Sequence, residues 1–257
     1  MKIHIAPPYF LNPTHPITVN LIGCGGTGTQ VLSALGRIDH CLKALNKPGL
    51  YVTVYDPDVV TSANIGRQLF CKADLGLNKA FVMVSRMNAF WGTAWDAIAQ
   101  KFDKENGRSC NITISCVDNL KSRKEIAKIL KQQSKHNQTV YPYKNPYYWM
   151  DFGNGRETGQ VILGTVQKIK HPKSKEWHIV NSLPTFIERY SAKKIDEKDS
   201  GPSCSVAEAL NSQDLFINSS LAQDGCDLLW QLLKNGSTNK AGLYKNLALM
   251  NTNAIPL

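Results

Sequence analysis

The stretch TVNLIGCGGTGTQ (residues 18–30) joins a short apolar run to a glycine-rich loop and then to the start of a helical pattern. Its glycines follow the spacing Gly23-x-Gly25-Gly26-x-Gly28. Glycine permits a tight turn and close approach of the backbone to a phosphate, while a helix N-terminus supplies N–H donors and a positive dipole end. The stretch therefore predicts a phosphate-binding turn, but by itself it fits NAD, FAD and ATP equally.

The flanking residues extend this turn into a strand–helix–strand unit. Residues 17–22 alternate and then run apolar, as a buried strand does, and apolar residues recur at helical spacing over residues 31–45. A second strand is predicted at residues 50–56 (LYVTVYD), which are rich in β-branched side chains. The handedness rule for such units makes the two strands a right-handed parallel pair.

Further along, strands and helices continue to alternate. Strands are predicted at residues 111–118, 147–153 and 159–169, and helices at residues 78–90, 123–133 and 205–233. The strands on either side of GNGRETG are joined by a glycine-containing turn, which favours a hairpin. Residues 177–202 have no clean periodicity and are expected to lie outside the main sheet. The pattern predicts an α/β protein with a doubly wound, largely parallel sheet and an antiparallel extension.

Composition limits the class of protein. In the 257 residues no window approaches the roughly 18 apolar residues that span a bilayer. The N-terminus lacks a secretory pattern, so we expect a cytoplasmic protein with no membrane partner. Seven scattered cysteines without a CxxC pair argue against a disulfide framework and a zinc ribbon. The net charge of +10 is spread along the chain, and we do not expect nucleic acid as the main partner.

A dense polar set follows the second predicted strand, in DPDVVTSANIGRQLF (residues 56–70). Its members are Asp56, Asp58, Asn64, Arg67 and Gln68. A nicotinamide site has no need of such a set, whereas a nucleoside triphosphate needs cations for its phosphates and a metal to bridge them. A carboxylate at the position of Asp56 suits the hydroxyls of a ribose.

Two more polar residues lie at predicted element ends on the same edge of the sheet. Lys79, at the start of the next helix, would supply a second cation, and Asp118, at the end of the strand ITISCVD, would hold magnesium. Their shared position favours an ATP site over an NAD- or FAD-dependent oxidoreductase.

At this point the motifs match a known family. GCGGTG, DPDVVTSANIGRQLF, GLNKA and CVDN, in this order, resemble the ThiF/MoeB superfamily of ubiquitin-activating-type adenylating enzymes. These motifs cover residues 17–164, and the RQ-F loop is the most specific of them. NPTHPITVNLIG, GRQLF and PSCSVAEALNSQDLFIN are similar to the ThiF-related member of the PRTRC plasmid and mobile-element cassette, over nearly the whole chain.

The resemblance implies a fold and an activity. It implies one Rossmann-like adenylation domain over residues 1–257, with a nucleotide-binding core at 17–164, a crossover segment at 177–203 and a C-terminal helical region at 204–235. The implied reaction uses ATP and Mg²⁺ to adenylate the C-terminal glycine of a ubiquitin-like or sulfur-carrier protein. Relatives of this kind usually form homodimers.

The resemblance also implies residue roles. By position, the ATP site would consist of Gly23, Gly25, Gly26, Gly28, Asp56, Asp58, Asn64, Arg67, Gln68, Lys79, Asp118 and Asn119. Arg67 would offset the charge that builds up on the phosphates, and Asp118 would hold Mg²⁺. In several relatives a cysteine before the last helix accepts the activated acyl group, which implies Cys204 as a thioester acceptor. A helix N-terminus favours the thiolate form that such chemistry needs.

Three features depart from the family pattern. The chain lacks the two CxxC pairs that hold zinc in many relatives, so we expect no structural zinc. Gly66 stands where relatives carry an asparagine, and residues 1–36 contain no arginine, although relatives often receive one from the partner subunit's N-terminal segment. The last departure favours the alternative function, a non-catalytic nucleotide-binding scaffold of a plasmid or mobile-element cassette.

Overall fold

The computed structural model describes residues 2–136, 141–171, 174–190 and 213–257. The helices are α1 Pro8–Leu11, α2 Gly26–Ala44, α3 Lys79–Trp91, α4 Leu120–His136, α5 Phe186–Tyr190 and α6 Ile217–Asn235. The strands are β1 Lys2–Ile5, β2 Ile17–Ile22, β3 Leu50–Tyr55, β4 Asp96–Ile98, β5 Ile112–Ser115, β6 Tyr148–Asn154, β7 Thr158–Thr165, β8 His178–Ile179, β9 Ser237–Thr238, β10 Lys240–Asn246 and β11 Asn251–Pro256. Within these residues, no helix combines the length and the apolar character that crossing a membrane requires.

The main sheet has eight strands in the order β11-β10-β7-β6-β5-β2-β3-β4. Strands β4, β3, β2, β5 and β6 are parallel, and β7, β10 and β11 extend the sheet through antiparallel pairs. A separate small sheet has the order β8-β1-β9. The predicted α/β class, with a Rossmann-like, largely parallel sheet and an antiparallel extension, is confirmed.

The strand order creates a topological switch point between β2 and β5. From β2 the chain moves outward through β3 to β4 and then returns to the other side of β2 as β5. Loops that leave two such neighbouring strands diverge, and the crevice between them is where open α/β sheets bind ligands. The glycine loop follows β2 and Asp118 follows β5, so both border this crevice.

Helices cover both faces of the main sheet. Leu32 of α2, Met83 of α3 and Leu229 of α6 belong to the core on one face. Ile129 of α4 and Phe186 of α5 belong to the core on the other face. Because alternate side chains of a strand point to opposite faces, the strands contribute to both cores. The covered sheet holds the loops at its carboxyl edge in place.

Most predicted elements are confirmed with small shifts at their ends. The helix predicted at residues 78–90 is α3, and the Asn78 side chain accepts the backbone N–H of Phe81 (3.1 Å) as its N-cap. The helix predicted at residues 123–133 begins earlier, at Leu120.

Of the helical region predicted over residues 204–235, the structure describes only residues 213–235. There the helix α6 runs from Ile217 to Asn235, and residues 213–216 before it are not helical. The Asp214 side chain accepts the backbone N–H of Phe216 at 3.0 Å, and such a local bond competes with a helical turn. Residues 204–212 lie outside the described residues.

Both chain ends contain strands that the sequence patterns did not predict. The hairpin β10–β11 adds to β7, although Lys240–Asn246 (KAGLYKN) shows little alternation. Its extended state comes from pairing with a distant strand, which local propensity does not encode. β1 pairs with β8, and β8 lies within the predicted crossover segment 177–203. As expected for that segment, β8 lies outside the main sheet. Residues 191–203 of that segment lie outside the described residues.

Candidate functional site

The glycine loop between β2 and α2 is a tight turn that only glycine fits at two positions. Gly23 has a φ of +90°, in the left-handed region that favours glycine. A Cβ atom on Gly28 would overlap the carbonyl oxygen of Gly23. These two glycines therefore shape the turn. Gly26 lies against the side chain of Asn218, whose Nδ2 would be 2.8 Å from an added Cβ.

Gly25 differs from its neighbours because it faces open space. A Cβ atom there would meet nothing within 4 Å, and the φ of Gly25 is negative (−89°), unlike that of Gly23. Gly25 is the N-cap of α2, and in the described structure no side chain caps this helix end. The first N–H groups of α2 are thus left for another acceptor, which fits an anionic phosphate.

Asp56 ties the end of β3 to the glycine loop. Its Oδ2 accepts the backbone N–H of Cys24 (2.6 Å), and its Oδ1 accepts the backbone N–H of Asp58 (2.8 Å). Burial raises the pKa of Asp56, while the two N–H donors and Lys79 act in the opposite direction. The carboxylate therefore orients the loop, and its predicted contact with a ribose stays a prediction.

Lys79 and Asp58, both predicted site residues, lie together. Lys79 Nζ is 3.1 Å from Asp58 Oδ2, and the lysine side chain is 10% exposed against 65% for the aspartate. The backbone N–H of Lys79 also donates to the carbonyl oxygen of Asp58 (3.0 Å). The lysine is thereby held at the start of α3 with one carboxylate as its partner.

Arg67 and Gln68 carry polar atoms that lack partners. Arg67 Nε and Gln68 Oε1 are buried, and neither has a hydrogen-bond partner within the described structure. Burial lowers the pKa of Arg67. A buried polar atom without a partner is rare and calls for an explanation, which a bound polar ligand would supply. Gly66 before them has a φ of +85°, which explains a glycine at this position.

Asn64 closes the short turn in the same loop. Its Oδ1 accepts the backbone N–H of Thr61 (2.9 Å) and the hydroxyl of Thr61 (3.1 Å). The amide oxygen therefore stabilises the loop that presents Arg67, and its contact with ATP stays a prediction.

Asp118 and Asn119 follow β5, on the other side of the switch point. Asn119 Nδ2 donates to Asp118 Oδ1 (2.8 Å), while Asn119 Oδ1 accepts the backbone N–H of Ser122 (2.8 Å) and so caps α4. Asp118 is exposed. Among the described residues no group of three or more His, Cys, Asp and Glu side chains suits a metal. A single carboxylate still fits Mg²⁺, which keeps waters and binds phosphate oxygens as well.

The structure also brings in residues that the sequence patterns missed. Thr27 Oγ1 donates to Asn218 Oδ1 (2.8 Å), and Asn154 Nδ2 donates to the same oxygen (3.3 Å). Arg67 Nη1 donates to Gln213 Oε1 at 2.7 Å. The sequence pattern places QDLFIN (residues 213–218) in a predicted helix and in the family resemblance, and it gives these residues no role at the nucleotide site.

Cys204, the predicted acyl acceptor, lies outside the described residues, so its role stays a prediction. Two cysteines near the glycine loop, the buried Cys24 and the partly buried Cys116, are poor candidates to replace it. Burial raises the pKa of the Cys24 and Cys116 thiols, which keeps both protonated at neutral pH.

Comparison with known families decides the family. The sequence pattern of the ThiF family matches residues 14–255. The chain belongs to the ThiF family. No protein of curated function matches this ThiF-family chain significantly in sequence.

Solved structures share the fold of the ThiF-family chain. PaaA matches with a TM-score of 0.56 at 16% identity, covering 93% of this chain and 64% of its own. MccB of E. coli matches with a TM-score of 0.57 at 16% identity, covering 93% of this chain and 62% of its own. MccB with ATP matches with a TM-score of 0.56 at 15% identity, covering 93% and 63%. The chain thus spans less than two thirds of these proteins, and at this identity the likeness shows the fold alone.

Proposed function

We propose that this ThiF-family protein binds Mg·ATP and adenylates a carboxylate of a protein partner. The observation that carries the proposal is a pair of buried polar atoms in the loop after β3, Arg67 Nε and Gln68 Oε1, for which the described part of the chain offers no hydrogen-bond partner. The open face of Gly25 borders the same crevice at the switch point. Together these features form a polar site with hydrogen-bonding capacity that suits a phosphate chain.

Each residue of the site has a role in this proposal. The N–H groups at Gly25 and the cations of Arg67 and Lys79 would bind the phosphates, and Asp56 would lie beside the ribose. Magnesium held by Asp118 would neutralise part of the phosphate charge. A carboxylate oxygen of the partner attacks the α-phosphorus, the bond to the β-phosphate oxygen breaks, and pyrophosphate leaves. Because two anions are joined, preorganised cations lower the barrier.

We propose a ubiquitin-like or sulfur-carrier protein, activated at its C-terminal glycine, as the partner. The family motifs support this class, and MccB, which shares the fold, has been crystallised with AMPCPP and MccA. The similarity to the PRTRC cassette protein supports a cassette-encoded partner. Homodimerisation and acyl transfer to Cys204 belong to the same proposal.

The test is pyrophosphate exchange into ATP by the purified chain with a candidate ubiquitin-like protein. We expect exchange with the wild-type protein and none with Asp118→Ala, because the metal loses its carboxylate. Asp227→Ala is the matched control, since Asp227 is exposed on α6 and accepts a hydrogen bond from the neighbouring Gln231 side chain, and its loss should leave exchange unchanged.

The same incubation tests the acyl acceptor. A thiol-sensitive adduct that forms with the wild-type chain and not with Cys204→Ala supports transfer to Cys204, and an adduct that survives the substitution rejects it. ATP binding without exchange would instead support the non-catalytic scaffold.

A further inference from the structure

Gln213 links the C-terminal part of the chain to the proposed phosphate site. Its Oε1 accepts a hydrogen bond from Arg67 Nη1 at 2.7 Å and one from Asn218 Nδ2 at 3.3 Å. Arg67 and Gln213 are separated by 146 positions in sequence, so the contact is a product of the tertiary fold.

Asn218 anchors this link to the glycine loop. The residue is 2% exposed, and its Oδ1 accepts from Thr27 Oγ1 (2.8 Å) and from Asn154 Nδ2 (3.3 Å). Its side chain also lies directly against Gly26. The first turn of α2, the end of β6 and the start of α6 are thereby joined, and Gln213 extends the network to the Arg67 guanidinium.

The hydrogen bond to Gln213 uses only part of the N–H donors of Arg67. A guanidinium carries five N–H donors in a fixed plane, and Gln213 fixes that plane through Nη1. Nε remains buried and unpartnered within the described structure. A long, flexible side chain loses substantial rotamer entropy on binding, so one that is already held binds an anion at lower cost.

Whether the partner of a cation is charged or neutral affects how much of the cation's charge remains for a ligand. Lys79 has a carboxylate partner in Asp58, whereas Arg67 forms no salt bridge with any described residue and is held by an uncharged amide. A carboxylate at position 213 would cancel the charge of Arg67 and compete with a phosphate for it. A neutral acceptor orients the guanidinium and leaves its charge for the ligand.

We infer that Gln213, anchored by Asn218, is a positioning residue that holds Arg67 beside the N-terminal turn of α2 for contact with the phosphates of ATP. The inference rests on the proposed function, since it takes Arg67 as a phosphate ligand. It also gives the QDLFIN segment a role at the nucleotide site.

The test compares Gln213→Met, which keeps the side-chain length and removes the acceptor, with the wild-type chain. We expect ATP to bind about tenfold more weakly to the variant, since a hydrogen bond to a charged group is lost. Adenosine, which has no phosphates, should bind both proteins equally. Calorimetry measures ATP binding and an NMR titration measures adenosine. Gln231→Met on the surface of α6 is the matched control and should bind ATP as the wild type does.

A double-mutant cycle with Arg67→Met shows whether Gln213 acts through Arg67. In the Arg67→Met background, Gln213→Met should change ATP affinity no further, because coupled residues give non-additive effects. Additive effects, equal weakening for ATP and adenosine, or unchanged ATP binding in Gln213→Met would each overturn the inference alone. A wild-type chain that does not bind ATP would overturn the proposed function and the inference with it.

Discussion

At the residue scale, the glycines of the loop serve two separate purposes. Gly23 and Gly28 are required by the shape of the turn. Gly23 has a positive φ, and at Gly28 a Cβ atom would overlap the carbonyl oxygen of Gly23. Gly25 shows neither feature, since its φ is negative and a Cβ atom there would meet nothing within 4 Å. The open space beside Gly25 fits the close approach of a ligand to the backbone.

Alanine substitutions should separate these purposes. Gly28→Ala should lower the free energy of unfolding by about 1–3 kcal/mol, because the new methyl group forces the loop to shift. Gly25→Ala should cost less than about 1 kcal/mol, the difference between glycine and alanine at an N-cap, yet weaken ATP binding by filling the open space. Urea unfolding and calorimetry measure the two effects. Full ATP affinity in Gly25→Ala would contradict phosphate binding at this face.

At the element scale, the small sheet β8-β1-β9 is attached to the main sheet by His4. The residue is fully buried, its Nδ1–H donates to the carbonyl oxygen of Val180 (2.7 Å), and its Nε2 accepts from the Tyr148 hydroxyl (2.8 Å). In the neutral ring both nitrogens therefore have a hydrogen-bond partner. Burial is the main cause that lowers the pKa of His4 below 6.5, and the nearby His171 lowers it further.

Stability should therefore depend on pH through His4. Because the folded-state pKa is the lower one, the unfolded chain binds more protons between that value and 6.5. The contribution of neutral His4 is fully present above pH 6.5 and is lost as the pH falls towards the folded pKa, by at most about 1.4 kcal/mol per pH unit. Urea unfolding at pH 8, 6 and 5 should show this loss in the wild type and a smaller one in His4→Gln. Equal slopes would reject the assignment.

At the scale of the whole molecule, a buried ion pair joins the helical layer of α4 to the sheet. Arg123 Nε lies 3.0 Å from Asp151 Oδ2, and the two side chains are 8% and 1% exposed. Ser115 Oγ donates to the same carboxylate (2.5 Å), and the guanidinium lies 5.0 Å from the ring centre of Phe186. α4, α5, β5 and β6 thus meet at one charged pair.

Removing one partner should cost far more than removing both. Arg123→Met leaves Asp151 as an uncompensated buried charge, and we expect a loss of about 3–5 kcal/mol in the free energy of unfolding. The double variant Arg123→Met/Asp151→Leu should be more stable than the single one. Arg108→Met, which breaks the exposed pair with Asp96, is the control and should cost less than about 1 kcal/mol. A double variant no more stable than the single one would contradict this account.

The order of elements could be predicted, and candidate site residues could be chosen, because the signals for both are local. Hydrophobic periodicity, glycine spacing and polar residues at strand ends can each be recognised within a short stretch of sequence. The glycine loop, Asp56, Arg67, Lys79 and Asp118 could therefore be assigned to the same edge of a sheet. The non-helical residues 213–216 and the hairpin β10–β11 do not follow from such local signals. The Asp214 side chain accepts the backbone N–H of Phe216 just before α6, and β10 pairs with the distant β7.

The sequence by itself determined that this chain forms a doubly wound α/β sheet of the ThiF family with a glycine-rich loop after β2. Only the tertiary structure decided which polar atoms meet. Arg67 reaches Gln213 and Thr27 reaches Asn218 across 146 and 191 positions of the chain. Such contacts depend on how whole layers pack, and no periodicity in a short window records them.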